Sequence, residues 1–177
     1  MRDERPEAVQ MLEASAVDFV TLAEKVDEEL WDRIPAWGGW SLASVAEHLA
    51  LVEASCTKLL SKRLFAETGD EQILEATRGR DAAITEWFEG QETREAPAFV
   101  LPTGKWRSRR DVIDAFREHR GSNVASYRAA PIDLRSYVFE HTFLGPLDGF
   151  QWAIFLSQHL RRHVRQMHLI QAGLILA

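Results

Sequence analysis

The sequence predicts an all-α fold: an antiparallel four-helix bundle with a long crossover between its second and third helices. Three observations predict it. Apolar residues recur at three- or four-residue steps in four separate segments. A proline, serine or aspartate stands at the start of each segment, where helices begin. Proline and glycine punctuate the connections, and the stretch from about Thr68 to Trp106 has no long periodic pattern of its own.

The first helix is expected from about Pro6 to about Trp31. Val9, Leu12, Ala16, Phe19, Ala23, Val26 and Leu30 form its apolar stripe, and Pro6 suits a first turn. Pro35, Gly38 and Gly39 break the pattern before Trp40. Ser41 is the expected N-cap of the second helix, its hydroxyl accepting an orphan backbone N–H. Trp40 and Val45 are placed to pack across that cap. Val45, His48, Leu49, Val52, Cys56 and Leu59 share one face, which turns His48 inward. Within the crossover a short helix is expected from Asp81 to Phe88, and Pro97, Pro102 and Gly104 make the remainder loop. Ser108 and Asp111 fit a capping box for the third helix. Ile113, Phe116, Val124 and Tyr127 form its core face, and Pro131 ends it. In the following connector, Tyr137, Val138 and Phe139 suit a short extended piece. The fourth helix starts near Asp148, which pairs with Gln151 in a second capping box. Its inner stripe is Trp152, Phe155, Leu156, His159, His163, Gln166 and Ile170.

The 177 residues suit one domain, taken as 1–177, large enough to bury a core. A formal net charge of -6 disfavours nonspecific nucleic-acid binding. One cysteine, Cys56, excludes a disulfide-built domain. The charged start, Met1 to Glu7, lacks an apolar signal core, and no apolar run reaches the roughly 20 residues that cross a bilayer. A cytoplasmic protein with neither nucleic-acid nor membrane partner is therefore expected.

The chemistry concentrates in His159-Leu160-Arg161-Arg162-His163. Residues at i and i+4 stack on one helix face, so both imidazoles can reach one ion. Both fall on the apolar stripe, and burying unpaired imidazoles is costly unless a metal, a carbonyl or a carboxylate satisfies them. His48 supplies a third ring from far upstream. Three neutral nitrogens on one ion leave a coordination position open for water or substrate. Leu160 stands where a zincin-type protease has its glutamate, so that class is not indicated. Glu47 should point sideways, and Glu53 lies about 140° round the helix from His48, so neither is an obvious fourth ligand.

His141, just before the fourth helix, either lines the mouth of the site as an acid–base group or caps local backbone. His119 sits between Glu118 and Arg120 and reads as solvated, while His168 is off the ligand face. Cys56 lies about 12 Å along the axis from His48 and reads as a small core residue. Arg107, Arg109 and Arg110 read as a solvated helix end, with anion binding as the alternative. Trp37, Trp40 and Trp106 are expected to seal the bundle end near His48. No phosphate-cradling glycine loop and no Gly-x-Ser-x-Gly elbow occur.

Trp40-Ser41-Leu42 leading into Glu47-His48-Leu49, then His141 to Leu147, then His159-x-x-x-His163-x-x-Gln166, together resemble the DinB-like metalloenzyme superfamily. Pro102-Thr103-Gly104-Lys105-Trp106 resembles one branch of it. The resemblance spans nearly the whole chain. It implies an up-down-down-up bundle, a frequent homodimer, and a divalent ion, often nickel or zinc, on residues matching His48, His159 and His163. Characterised relatives include bacillithiol transferases and mycothiol-dependent maleylpyruvate isomerase, so a low-molecular-weight thiol is an implied cofactor. The leading expectation is a divalent-metal-dependent enzyme acting on a small-molecule substrate, as a thiol-dependent S-transferase or a related hydrolase. The alternatives are a non-catalytic metal- or ligand-binding bundle in stress response, and a bundle whose histidines are merely hydrogen-bonded in its core.

Overall fold

The structure, a computed structural model, describes residues 2–90 and 95–176. It is mainly helical. Seven helices are described: α1 (Arg5–Lys25), α2 (Glu28–Trp31), α3 (Leu42–Leu59), α4 (Glu71–Thr77), α5 (Asp81–Glu89), α6 (Arg109–Ala129) and α7 (Gly149–Ile175). A small hairpin, β1 (Val138–His141) and β2 (Gly145–Asp148), precedes α7. The four long helices provide the main packing: α1 and α3 each pack against both α6 and α7.

The N-caps read from sequence form, though at Ser108 only the serine half of the expected box with Asp111 is made. Ser41 Oγ accepts the Ser44 N–H at 3.1 Å, and Ser108 Oγ accepts the Asp111 N–H at 3.1 Å. Asp148 and Gln151 complete both halves of a capping box. The first expected helix is interrupted, however. Val26 and Asp27 adopt extended backbone, so α1 stops at Lys25 and α2 is a separate turn. The break swings Leu30 and Trp31 into the core. Arg109 secures it: its guanidinium donates to the Ala23 and Val26 carbonyls, pairs with Glu28 at 2.5 Å and lies 5.7 Å above the Trp31 ring. Arg109 therefore satisfies the orphan carbonyls at the end of α1 rather than facing solvent. Arg107 and Arg110 are exposed, as expected.

The crossover carries α4 as well as the anticipated α5. Asp70 starts α4 by accepting the Ile73 N–H at 2.9 Å. The extended piece at Val138 to Phe139 gains an antiparallel partner, with Val138 opposite Asp148 and His141 opposite Gly145. Pro146 hid that partner, since proline enters only edge strands. Arg135 binds Glu4, Asp81 and Asp148 at 2.8, 2.8 and 3.1 Å, joining the starts of α1, α5 and α7 to the hairpin.

Two apolar clusters fill the interior. One holds Leu12, Cys56, Leu60, Tyr127, Phe150 and Leu156. The other holds Phe19, Leu49, Phe116, Leu160 and Ile170. A polar group links α1, α3 and α6: buried Arg120 meets Glu53 Oε1 at 2.6 Å, the Leu12 carbonyl at 3.1 Å and Ser15 Oγ at 3.3 Å. Asn123 donates to Glu53 Oε2 at 2.7 Å. Glu118 is exposed; His119, read from sequence as solvated, is half-buried, and Arg120 beside it is an interior residue.

α7 leaves its cap through a tight passage. A Cβ built on Gly149 falls 2.7 Å from the Leu134 carbonyl oxygen and 2.9 Å from Phe65 Cε1. Gly149→Ala is expected to cost about 1–3 kcal/mol through this overpacking. Chemical denaturation checks it: the midpoint should fall with the slope unchanged.

Candidate metal centre

The site lies where α3 meets the second turn-pair of α7. His48, His159 and His163 each present a ring nitrogen, and these nitrogens lie within 4.8 Å of one another. Ring centroids are 4.6 Å apart for His159–His163, 4.8 Å for His48–His163 and 5.2 Å for His48–His159. The i, i+4 spacing on α7 and the inward stripe of α3 therefore do what the sequence argument required. His48 is buried, while His159 and His163 are half-buried on the flank of the α7 stripe. Leu156, Leu160, Met167 and Ile170 of α7 supply the core contacts.

The outer nitrogens are anchored. His48 Nδ1 lies 2.8 Å from the Val100 carbonyl oxygen, which only accepts, so Nδ1 carries the proton and Nε2 a lone pair. His163 Nδ1 likewise donates to Gln166 Oε1 at 2.7 Å. Holding the far N–H of a ligand imidazole in this way fixes its tautomer and orientation for a metal. His48 Nε2 and His159 Nε2 face each other at 3.2 Å. Two such nitrogens share either one proton or one cation. Burial lowers the proton affinity of all three rings. It depresses His48, against the pull of the Val100 hydrogen bond. It drives His159 well below the usual range, helped by His163 and His48. It pushes His163 down to about 3, with His48 adding to the effect. Neutral imidazoles are the form that ligates zinc or nickel, and two of the three have their tautomer fixed, so the donor set fits a divalent ion.

Aromatic rings enclose the cluster. Trp40 lies 5.0 Å from His48 and 6.5 Å from His163, as the sealing role predicted. Phe155 stacks on His159 at 5.6 Å, and Phe88 of α5 meets its edge at 6.2 Å. Trp106 packs, half-buried, on the cluster that contains Leu49. Trp37 is 64% exposed, too open to seal anything. It leans over Gly173 and, with Trp40, Gln166, Leu169 and Ile170, lines a shallow cavity of about 460 Å³.

Glu47 points away from the rings, as expected. Its carboxylate accepts the backbone N–H groups of Thr103, Gly104 and Lys105 at 2.9, 2.9 and 3.0 Å. Burial opposes ionisation, but these donors outweigh it and hold Glu47 below its ordinary range. Glu53 is engaged with Arg120. Cys56 is buried, and burial pushes its thiol far up, which makes it inert as a nucleophile.

His141 stands at the end of β1. Its Nδ1 accepts the N–H groups of Phe143 and Leu144, both at 3.2 Å, so it caps the hairpin turn. Its ring also lies tilted 4.3 Å from that of Phe155, which in turn stacks on His159. Burial pushes His141 down to about 4. A histidine depressed on folding takes up a proton in the unfolded chain first. Stability is therefore full above about 6.5, the unfolded value, and falls as pH drops toward 4. Metal-free protein should lose stability over that window, and His141→Gln should flatten part of the loss in denaturation measured at several pH values.

The sequence reading singled out Pro102 to Trp106 by resemblance but missed the grip of Glu47 on the 103–105 N–H groups, and it missed the Val100 carbonyl, since backbone atoms carry no residue signature. The Gln166 role had a signal: its position three residues after His163 places it on the same face.

Comparison with known proteins agrees with this geometry. The DinB superfamily profile matches residues 11–167. The chain is 25% identical over 151 residues to an uncharacterized protein, YuaE, of Bacillus subtilis (strain 168), covering 82% of this chain and 85% of that one. No solved structure matches. Among the described residues no helix is long and apolar enough to cross a membrane. With a profile match over most of its length, this chain belongs to the DinB superfamily.

Proposed function

We propose that this protein is a metal-dependent enzyme acting on a small-molecule substrate, with His48, His159 and His163 as ligands of one divalent ion, zinc or nickel. The observation that carries the reading is the convergence of three ring nitrogens within 4.8 Å, two of them on rings whose outer N–H is already anchored. A divalent ion held there supplies Lewis acidity toward a thiol, a water or a substrate oxygen. The chain's own residues disfavour protonation of the imidazoles by burial, fix two tautomers, and wall the cluster with the rings of Trp40, Phe88 and Phe155. His141 has its Nδ1 occupied as an acceptor, so its neutral ring carries the proton on Nε2. Its acid–base role narrows to that of a hydrogen-bond donor at Nε2.

The thiol-dependent S-transferase version rests on the family resemblance, and a related hydrolase is its rival. The up-down-down-up order is part of the same reading. Glu13–Arg128 and Glu24–Arg117 pairs support opposed α1 and α6. His48 near His163, with Phe65 near Gly149, supports opposed α3 and α7. A cytoplasmic homodimer completes the proposal. Elemental analysis of untagged protein and turnover of an electrophile, with and without added low-molecular-weight thiol, test it. Stoichiometric metal and thiol-dependent turnover are expected. Turnover without thiol moves the assignment to hydrolysis, and protein that takes up neither zinc nor nickel overturns it.

A further inference from the structure

The structure assigns Glu47 as a positioning residue for the metal centre: it holds the 103–105 loop so that the Val100 carbonyl stays on His48 Nδ1. This rests on the metal reading of the histidine triad. Glu47 and His48 are neighbours on α3 and diverge by about 100°. Both grip the same stretch of crossover. His48 binds it at Val100, and Glu47 binds it three to five residues on.

The grip is complete in its hydrogen bonding. Oε1 accepts from the Thr103 N–H, the Thr103 hydroxyl at 3.2 Å and the Lys105 N–H. Oε2 accepts the Gly104 N–H, which Gly104 turns inward through its φ of +75°. Thr103, Gly104 and Lys105 are otherwise exposed, whereas Glu47 is only 6% exposed. A carboxylate buried beside the triad yet turned away from it has its use in these donors. Releasing them frees the loop at one end, and the Val100 carbonyl is then no longer fixed against His48. Loss of an outer hydrogen bond to a ligand histidine weakens metal binding by about 10–100-fold.

Glu47→Gln tests this, because one carboxamide end is a donor and must oppose an N–H of the loop. Titration with Co(II) alone, followed by its visible absorption, is expected to show affinity about 10–100-fold below wild type. Nitrogen NMR of the metal-free protein should show His48 shifting from one Nδ1–H tautomer to a mixture, a signature that general loosening of the fold does not produce. Thr103→Pro deletes two donors while leaving α3 unaltered, and should weaken Co(II) binding in the same direction. Wild-type affinity in both folded variants, with His48 in a single tautomer, overturns the role of Glu47. Wild-type protein that takes up no Co(II) overturns the metal reading itself, and this assignment with it.

Discussion

His48→Ala is expected to remove most of the bound divalent metal while the helical circular dichroism signal survives. The triad draws one ring from α3 and two from α7, so losing His48 leaves two ring nitrogens on a single helix. Deleting a ligand should cost more than the roughly 10–100-fold that follows from losing an outer hydrogen-bond partner. The fold should tolerate the change. His48 is a buried polar ring, and the adjoining core is carried by Leu42, Val45, Leu49 and Leu160. His159→Ala should behave alike. Elemental analysis of untagged variants decides: stoichiometric metal retained by both would show that the rings are structural partners of one another, not ligands.

Arg120→Met is expected to produce the largest loss of stability, about 3–5 kcal/mol. Among the described residues, it leaves the buried Glu53 carboxylate with Asn123 as its hydrogen-bond donor. At this chain length each kcal/mol moves the melting temperature by about 2–4 °C, so a drop on the order of 10 °C follows. Replacing both partners, Glu53→Leu with Arg120→Met, should recover much of it, because the cost lies in the stranded charge rather than in the missing attraction. Thermal melts of the single and double variants check this. A double variant no more stable than the single would show that the pair contributes through packing.

The long helices and the triad were legible in the sequence because both follow from one regularity, the spacing of side chains on a helix face. His48 on the stripe of α3, and His159 with His163 on α7, needed no knowledge of tertiary structure to be called inward. What stayed hidden depends on pairings distant in sequence. Arg120 reads as a surface residue until Glu53 is brought beside it. Arg109 reads as a solvated helix start until the free carbonyls of α1 arrive above it. The break at Val26 escaped detection because the apolar periodicity runs through it unchanged to Leu30. The crossover was least legible, since most of what it adds around His48 and Glu47 is a carbonyl and three N–H groups, which carry no residue signature.

The clasp of Arg135 by Glu4, Asp81 and Asp148 bears on how much of the chain's beginning can be dispensed with. Glu4 is the N-cap of α1 and is lost in any version shortened to the first helix itself. Its loss would leave Arg135 with two acidic partners at the foot of the hairpin that carries His141. A single carboxylate beside the first helix thus acts as a buckle for a turn more than a hundred positions away.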